Sequence, residues 1–369
     1  MTAAGPGAGA RERAATSVPF RAGREGYASF RIPAVVATAG GTLLAFCEGR
    51  ADGPADHGTI RVVLKRSTDG GRTWGPLQVA AENGDGLAGN PAPVVLDTGR
   101  ILLVHVRNAA HATEAAIRRG EITAKDGRRV WVTRSDDDGR TWSAPTEITA
   151  RVKRPEWRWY ATGPGHALRL RTGRVVVPAN HSLPPAGPGT GGGPDGGHCL
   201  LSDDRGKSWR LGYVADGDGT TSRVAANEST AAELPDGRLY VNARTMSPSV
   251  TVRADARSKD GGQTLTAPFA PQPGLPGPVC QGSVLQLRDP DLLLFSGPAE
   301  PGARARMTLR VSTDGGTSWR VAQTLDDRPA AYSDLVRVDA GSVGLLYETG
   351  DAGPYETITF RRLSSVWRT

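Results

Sequence analysis

Ser67-Thr68-Asp69-Gly70-Gly71-Arg72-Thr73-Trp74 reads as a hairpin turn, and the chain repeats it. The spacing Ser-x-Asp-x-Gly-x-Thr/Ser-Trp returns at Ser135–Trp142, Ser202–Trp209 and Ser312–Trp319, and at Ser258–Leu265 with Leu265 in the last position. Successive copies start 68, 67, 56 and 54 residues apart. In each copy the Ser and Asp side chains can bond nearby backbone amides, and Gly supplies a positive φ. The Trp can cap a small core at the strand end. Such turns belong on the outer edge of a repeated unit, so their aspartates are expected to be structural rather than catalytic.

Strand-like runs precede every copy: Ile60–Leu64, Val130–Thr133, Cys199–Leu201, Val250–Arg253 and Met307–Val311. Further runs lie between copies, among them Leu43–Phe46, Ile101–Val106, Val175–Pro178, Leu239–Ala243, Leu292–Phe295 and Val343–Tyr347. Many of these follow a Gly-bearing turn, such as Gly40-Gly41 or Asp236-Gly237. About four strands per repeat, repeated radially, make a β-propeller. The 339 residues from Arg31 to Thr369 leave room for six blades. Five turn copies then mean that one blade lacks the motif, and the blade that closes the ring with strands from both chain ends is the one expected to lack it. The chain therefore reads as an all-β, six-bladed propeller over residues 24–369, after a disordered tail over 1–23. Pro184–Gly197 reads as a flexible loop inside a blade, because the repeat continues beyond it.

Composition excludes several classes. Gly and Pro together make 75 of 369 residues, which argues against a helical bundle. No run of 18 apolar residues offers a membrane-spanning helix. The net charge is +7, with 40 Arg among 45 basic residues, but Asp and Glu are interspersed throughout. That pattern lacks the basic stripe that nucleic-acid binding needs. Three cysteines, Cys47, Cys199 and Cys280, are too few for a disulfide framework and lack zinc-ligand spacing, so buried free thiols are expected. No metal or cofactor is expected. The first 23 residues contain no apolar segment of a signal peptide, which points to the cytoplasm unless a leader has been removed.

Catalytic groups of a propeller gather at the central channel from distant stretches. Three sets stand out: Arg31, Arg244 and Arg306 beside strands; Asp56 in the loop Glu48–Gly58; and the pair Glu228 and Tyr332. Asp52 and His57 compete with Asp56, and Glu233 competes with Glu228.

From about Phe30 to Tyr347 the sequence resembles the sialidase (exo-α-neuraminidase) family of six-bladed propellers with Asp-box (BNR) repeats. The resemblance rests on Phe30-Arg31-Ile32-Pro33, the repeated turns, Glu48-Gly49-Arg50 and Gly163-Pro164-Gly165-His166. It rests also on Asn242-Ala243-Arg244, Cys280-Gln281-Gly282-Ser283 and Gly344-Leu345-Leu346-Tyr347-Glu348. It implies that Arg31, Arg244 and Arg306 form the triad that grips the carboxylate of sialic acid, a task suited to planar guanidinium forks. It implies that Glu348 orients Arg31, that Tyr332 is the nucleophile with Glu228 as its base, and that Asp56 is the acid/base. A neutral phenol suits a carbon that already bears a carboxylate, because an anionic nucleophile would be repelled. Arg50, Asn90 and Glu114 match positions that contact the sugar.

The resemblance implies a retaining exo-α-sialidase acting on sialylated glycans. A trans-sialidase, or an enzyme preferring the deaminated sugar, would use the same residues. A non-catalytic glycan-binding propeller would instead fill the positions of Tyr332, Glu228 and Asp56 with inert residues. The chain departs from some animal relatives at Asn180-His181-Ser182, where those carry tyrosines toward the glycerol arm of the sugar.

Overall fold

A computed structural model describes residues 16–187, 191–217, 224–246 and 251–364. Strand β1 (Thr16–Arg21) lies at the start and is used last. Blade 1 follows as β2 (Ser29–Ala37), β3 (Leu43–Arg50), β4 (Ile60–Ser67) and β5 (Gln78–Ala81). Blade 2 contains β6 (Leu87–Val95), β7 (Ile101–Asn108), the helix α1 (Glu114–Arg119), β8 (Arg129–Ser135) and β9 (Thr146–Glu147). A short helix, α2 (Thr149–Val152), leads into blade 3, which holds β10 (Tyr160–Thr162), β11 (Leu168–Arg169), β12 (Val175–Ser182), β13 (Asp195–Ser202) and β14 (Arg210–Asp216). Blade 4 is β15 (Ala226–Glu233), β16 (Leu239–Thr245), β17 (Val252–Ser258) and β18 (Ala270–Pro276). Blade 5 is β19 (Ser283–Arg288), β20 (Asp291–Pro298), β21 (Ala305–Ser312) and the first half of β22 (Arg320–Asp339). Blade 6 is the second half of β22 with β23 (Ser342–Thr349), β24 (Thr357–Ser364) and β1.

The fold is a six-bladed β-propeller. The first strands of the blades neighbour one another in turn, β2 beside β6 and β15 beside β19, and β22 returns beside β2. The long strand β22 pairs with β21 as far as Pro329 and with β23 from Ala330, so one continuous strand serves two blades. β1 pairs antiparallel with β24, with Thr16 opposite Arg361 and Phe20 opposite Ile358. The expected boundary at residue 23 therefore moves. Residues 16–21 are strand rather than tail, because buried Phe20 joins the core that Phe30, Ile358 and Phe360 share. The rest of the expected tail, 1–15, lies outside the described residues. Residues 195–197, expected to be loop, open β13.

The repeated turns explain their own number. Each links the last two strands of its blade. Blade 6 takes its fourth strand from the other end of the chain, so it has no such link and no such turn. In the first copy, Asp69 accepts from the backbone N–H of Arg72 and Thr73 at 3.0 Å each, and Ser67 Oγ accepts from Gly71 N at 2.9 Å. The same pattern recurs at Asp137, Asp204, Asp260 and Asp314. The fifth residue of each motif must be glycine. Gly71 has φ 85°, and a Cβ there would lie 2.0 Å from the Phe360 ring of the neighbouring blade. These turns are clasps between blades. Trp74 continues the clasp, meeting Phe360 edge-on and donating from Nε1 to Ser17 Oγ at 2.9 Å.

Near the axis, one buried carboxylate ties four blades together. Asp334 on β22 accepts from Val35 N (2.8 Å), Ser283 Oγ (2.8 Å), His166 N (3.0 Å) and the His166 ring at Nδ1 (2.7 Å). Burial disfavours the His166 imidazolium, but the Asp334 carboxylate outweighs that and holds its pKa above the usual value. The protonated imidazole thus stabilises the fold below about pH 6.5, the unfolded value, and the stabilisation is lost as pH rises through the higher folded value. The melting temperature is expected to fall between pH 6 and pH 9, and His166→Gln to flatten that fall. An unchanged slope in the variant would refute the assignment.

Cys47, Cys199 and Cys280 are free and buried. Among the described residues, no helix is long and apolar enough to cross a membrane.

Candidate active site

A cavity of about 410 Å³ opens where the blades converge, and every blade contributes to its wall. Its geometry follows from strand irregularities that sequence alternation alone would not give. In β2 a bulge follows Arg31, and Ile32 takes φ 64°, a costly conformation for a β-branched residue. Glu348 holds it there. Its Oε1 accepts from Ile32 N at 2.8 Å and from Arg31 Nε at 2.7 Å, while Oε2 accepts from Tyr332 N at 3.1 Å. One fully buried carboxylate thereby fixes the position of both Arg31 and Tyr332. Blade 2 repeats the device: Glu48 accepts from Asn90 N at 2.8 Å, at a bulge where Asn90 has φ 51°.

Tyr332 stands in a ring of cations. Its hydroxyl donates to Glu228 Oε1 and accepts from Arg244 Nη1 at 3.1 Å, and Arg244 also donates to Glu228 Oε2 at 2.7 Å. The Arg31 guanidinium lies 5.4 Å from the ring centroid and that of Arg304 lies 5.5 Å from it. Burial, and then the neighbouring Glu228, push the phenol pKa well above its usual value, so the group is neutral at physiological pH. Glu233, the rival of Glu228, lies outside the cavity and pairs with Arg171 and Arg288.

The third arginine is Arg304, and the expectation of Arg306 is corrected. Strict alternation would put residues 304 and 306, at the entry to β21, on the same face. A bulge between Ala305 and Met307, with Arg306 at φ 64°, breaks the alternation. Arg306 is turned to the surface beside Glu300 (3.6 Å) and Asp327 (3.5 Å). Arg304 reaches the cavity and donates to Tyr355 Oη at 2.8 Å. Tyr355, which the sequence did not single out, also stacks on Arg31 at 3.9 Å.

Asp56 lines the cavity on a half-exposed loop, with His57 Nδ1 3.8 Å away, whereas neither Asp52 nor His57 lines it. Arg50 secures that loop by donating to the Pro54 carbonyl and, at 2.6 Å, to Glu48. Glu114 sits at the start of α1, which Thr113 caps, and accepts from Arg118 at 2.7 Å. Arg118 continues to Asp195 (2.6 Å), and Asp195 accepts from Asn227 (2.8 Å). Asn227 in turn accepts from Glu228 N at 2.8 Å, completing a polar chain across three blades. Arg118, Arg128, Trp159 and Asn227 line the cavity without having been singled out from sequence. A buried arginine looks the same in sequence as the many exposed ones. Among the described residues, no cluster of three or more His, Cys, Asp or Glu side chains is placed to ligate a metal ion.

Residues 41–345 match the model of the BNR repeat-like domain. An exo-alpha-sialidase of Aspergillus fumigatus is 31% identical over 93% of this chain and 85% of its own length. The chain belongs to the sialidase family. A sialidase of Bacteroides fragilis is likewise 31% identical, over 90% of this chain and 62% of its own length. The solved Hadza microbial sialidase Hz136 superposes with a TM-score of 0.80 at 29% identity, covering 93% of this chain and 67% of that one. The sialidase fold and the enzyme class, a glycoside hydrolase with exo-sialidase activity, therefore stand together, and a purely glycan-binding propeller is set aside.

Proposed function

We propose that the chain is a retaining exo-α-sialidase that releases terminal α-linked sialic acids from sialylated glycans through a tyrosyl-glycosyl intermediate. The observation that carries this reading is the Tyr332 hydroxyl held between Glu228 and Arg244, with Arg31 and Arg304 beside the same ring. The three guanidinium groups grip the substrate carboxylate and set the anomeric carbon over the phenol. Tyr332 Oη bonds to that carbon as its proton passes to Glu228. The glycosidic bond breaks, and Asp56 protonates the departing oxygen. Asp56, now ionised, takes a proton from water. The resulting hydroxide displaces the tyrosyl oxygen, which recovers its proton from Glu228. Two inversions leave the anomeric configuration unchanged.

Proton NMR of the first-formed sugar tests the scheme. The α anomer is expected to appear first and to mutarotate afterwards. A β-first product would overturn the covalent route, and no turnover of any sialoside would overturn the whole reading.

The Asn227 link to Glu228 gives a second test. Asn227→Ala removes the acceptor of the Glu228 amide and one donor to Asp195. It is expected to lower kcat about tenfold at nearly constant KM, because it loosens the base rather than the carboxylate clamp. A change confined to KM would argue against this positioning role.

A further inference from the structure

The cavity has two chemically distinct ends. Arg31, Arg244, Arg304 and Tyr332 form one. The other, built by blades 2 and 3, holds Arg128, Asn90, Trp159 and Asn180. Arg128 is 2% exposed, yet it pairs with no carboxylate among the described residues. Its Nη1 donates to Asn90 Oδ1 at 3.1 Å, its guanidinium lies 3.9 Å over the Trp159 ring, and its Nε meets no acceptor. Burial lowers its pKa to about 10, so it is still a cation at neutral pH. Asn180 is 1% exposed, and both atoms of its carboxamide are unbonded. The residue is fixed in place. It pairs in register with Ala161 and with Gly197, and the adjacent His181 stacks on Trp157 at 3.8 Å and bonds Asp216 at 2.8 Å. Buried donors and acceptors are rarely left unpaired, so in a binding cavity these mark where a polar atom of the ligand belongs.

Ring chemistry says which atom that is. In the six-membered ring of a nonulosonic acid, C5 stands diagonally opposite C2. With the C2 carboxylate on the three arginines and C2 over Tyr332, the C5 substituent is carried to the far end. We propose that Arg128 and Asn180 select a hydroxyl at C5, so that the site prefers deaminated nonulosonic acids to N-acetylated ones. A hydroxyl accepts from the guanidinium and can both give to and take from the carboxamide. An acetamido group brings a methyl that needs an apolar bed. The aromatic face available at that end, Trp159, is covered by the Arg128 guanidinium. The inference rests on the sialoside reading above and adds the substrate class to it.

Initial rates with the 4-methylumbelliferyl α-glycosides of the 5-hydroxy and 5-acetamido sugars test it. Wild-type kcat/KM is expected to favour the 5-hydroxy glycoside by about tenfold or more. Arg128→Met is expected to shrink that ratio by about fivefold or more, and Asn180→Ala to move it in the same direction. A wild-type preference for the acetamido glycoside, or a ratio unmoved in both variants, overturns the inference. If Arg128→Met shows no melting transition, Asn180→Ala and the wild-type inhibition constants of the two free sugars decide. Cleavage of both glycosides with the wrong ratio sinks this inference alone. Cleavage of neither sinks the sialoside reading, and this inference with it.

Discussion

Tyr332→Phe is expected to lower kcat/KM toward a fluorogenic sialoside by about 10³-fold or more while the melting temperature stays within a few degrees. The substitution removes a single oxygen. The ring keeps its place against Ile32, Cys280 and Ala331, and its backbone N–H keeps its bond to Glu348. Glu228 keeps Arg244 as a partner at 2.7 Å, so no buried carboxylate is left bare. The loss thus falls on the chemical step. A second signature separates a nucleophile from a bystander. A 3-fluorosialosyl fluoride is expected to label the wild-type peptide containing Tyr332 and to leave the Phe variant unlabelled. A variant that turns over as fast as wild type, or labelling at another residue, would remove Tyr332 from the mechanism.

Arg304→Met and Arg306→Met form a matched pair two residues apart with opposite expected outcomes. Arg304 faces the cavity between Tyr332 and Tyr355, and its loss takes one of three cations from the substrate carboxylate. Removing one partner of a desolvated, charge-assisted contact costs about 2–5 kcal/mol, which converts to a fall in kcat/KM of about 30-fold or more. Arg306 is half exposed, and its two acidic neighbours lie at 3.5 Å and 3.6 Å, pairs of the kind that contribute about 0–1 kcal/mol. Arg306→Met is expected to stay within about twofold of wild type. If the two variants behaved alike, or in reverse, the placement of the third arginine would be wrong.

That pair also shows where sequence reading stops. The hairpin turns are local. Serine, aspartate and glycine at fixed offsets make the same hydrogen bonds wherever they occur, so the repeat, the blade count and the missing sixth turn were all legible. Arg31, Arg50, Asp56, Asn90, Glu114, Glu228, Arg244 and Tyr332 were reachable from motif positions, and all of them line one cavity. Arg306 misled because a single bulged residue changes which side chain faces inward, and nothing in Ala303-Arg304-Ala305-Arg306 announces the bulge. β1 was hidden for a different reason. Ser17-Val18-Pro19-Phe20 has little to bury until β24, more than 330 residues later, is laid beside it. Arg128 and Asn180 were obscure because their distinction is environmental: buried polar atoms lacking partners can be recognised only in three dimensions.

The order in which the chain leaves a ribosome gives the last blade a special status. Blades 1 to 4 can each close from contiguous sequence as they emerge, and none of them holds the phenol. Tyr332 lies just past the handover at Pro329–Ala330, in a sheet that needs β23 and β24 from the final stretch and β1 from the first. A nascent or proteolytically clipped chain would therefore display several well-made blades and no working centre. β1 and β24, more than 330 residues apart in the chain, must meet before the molecule can cut anything.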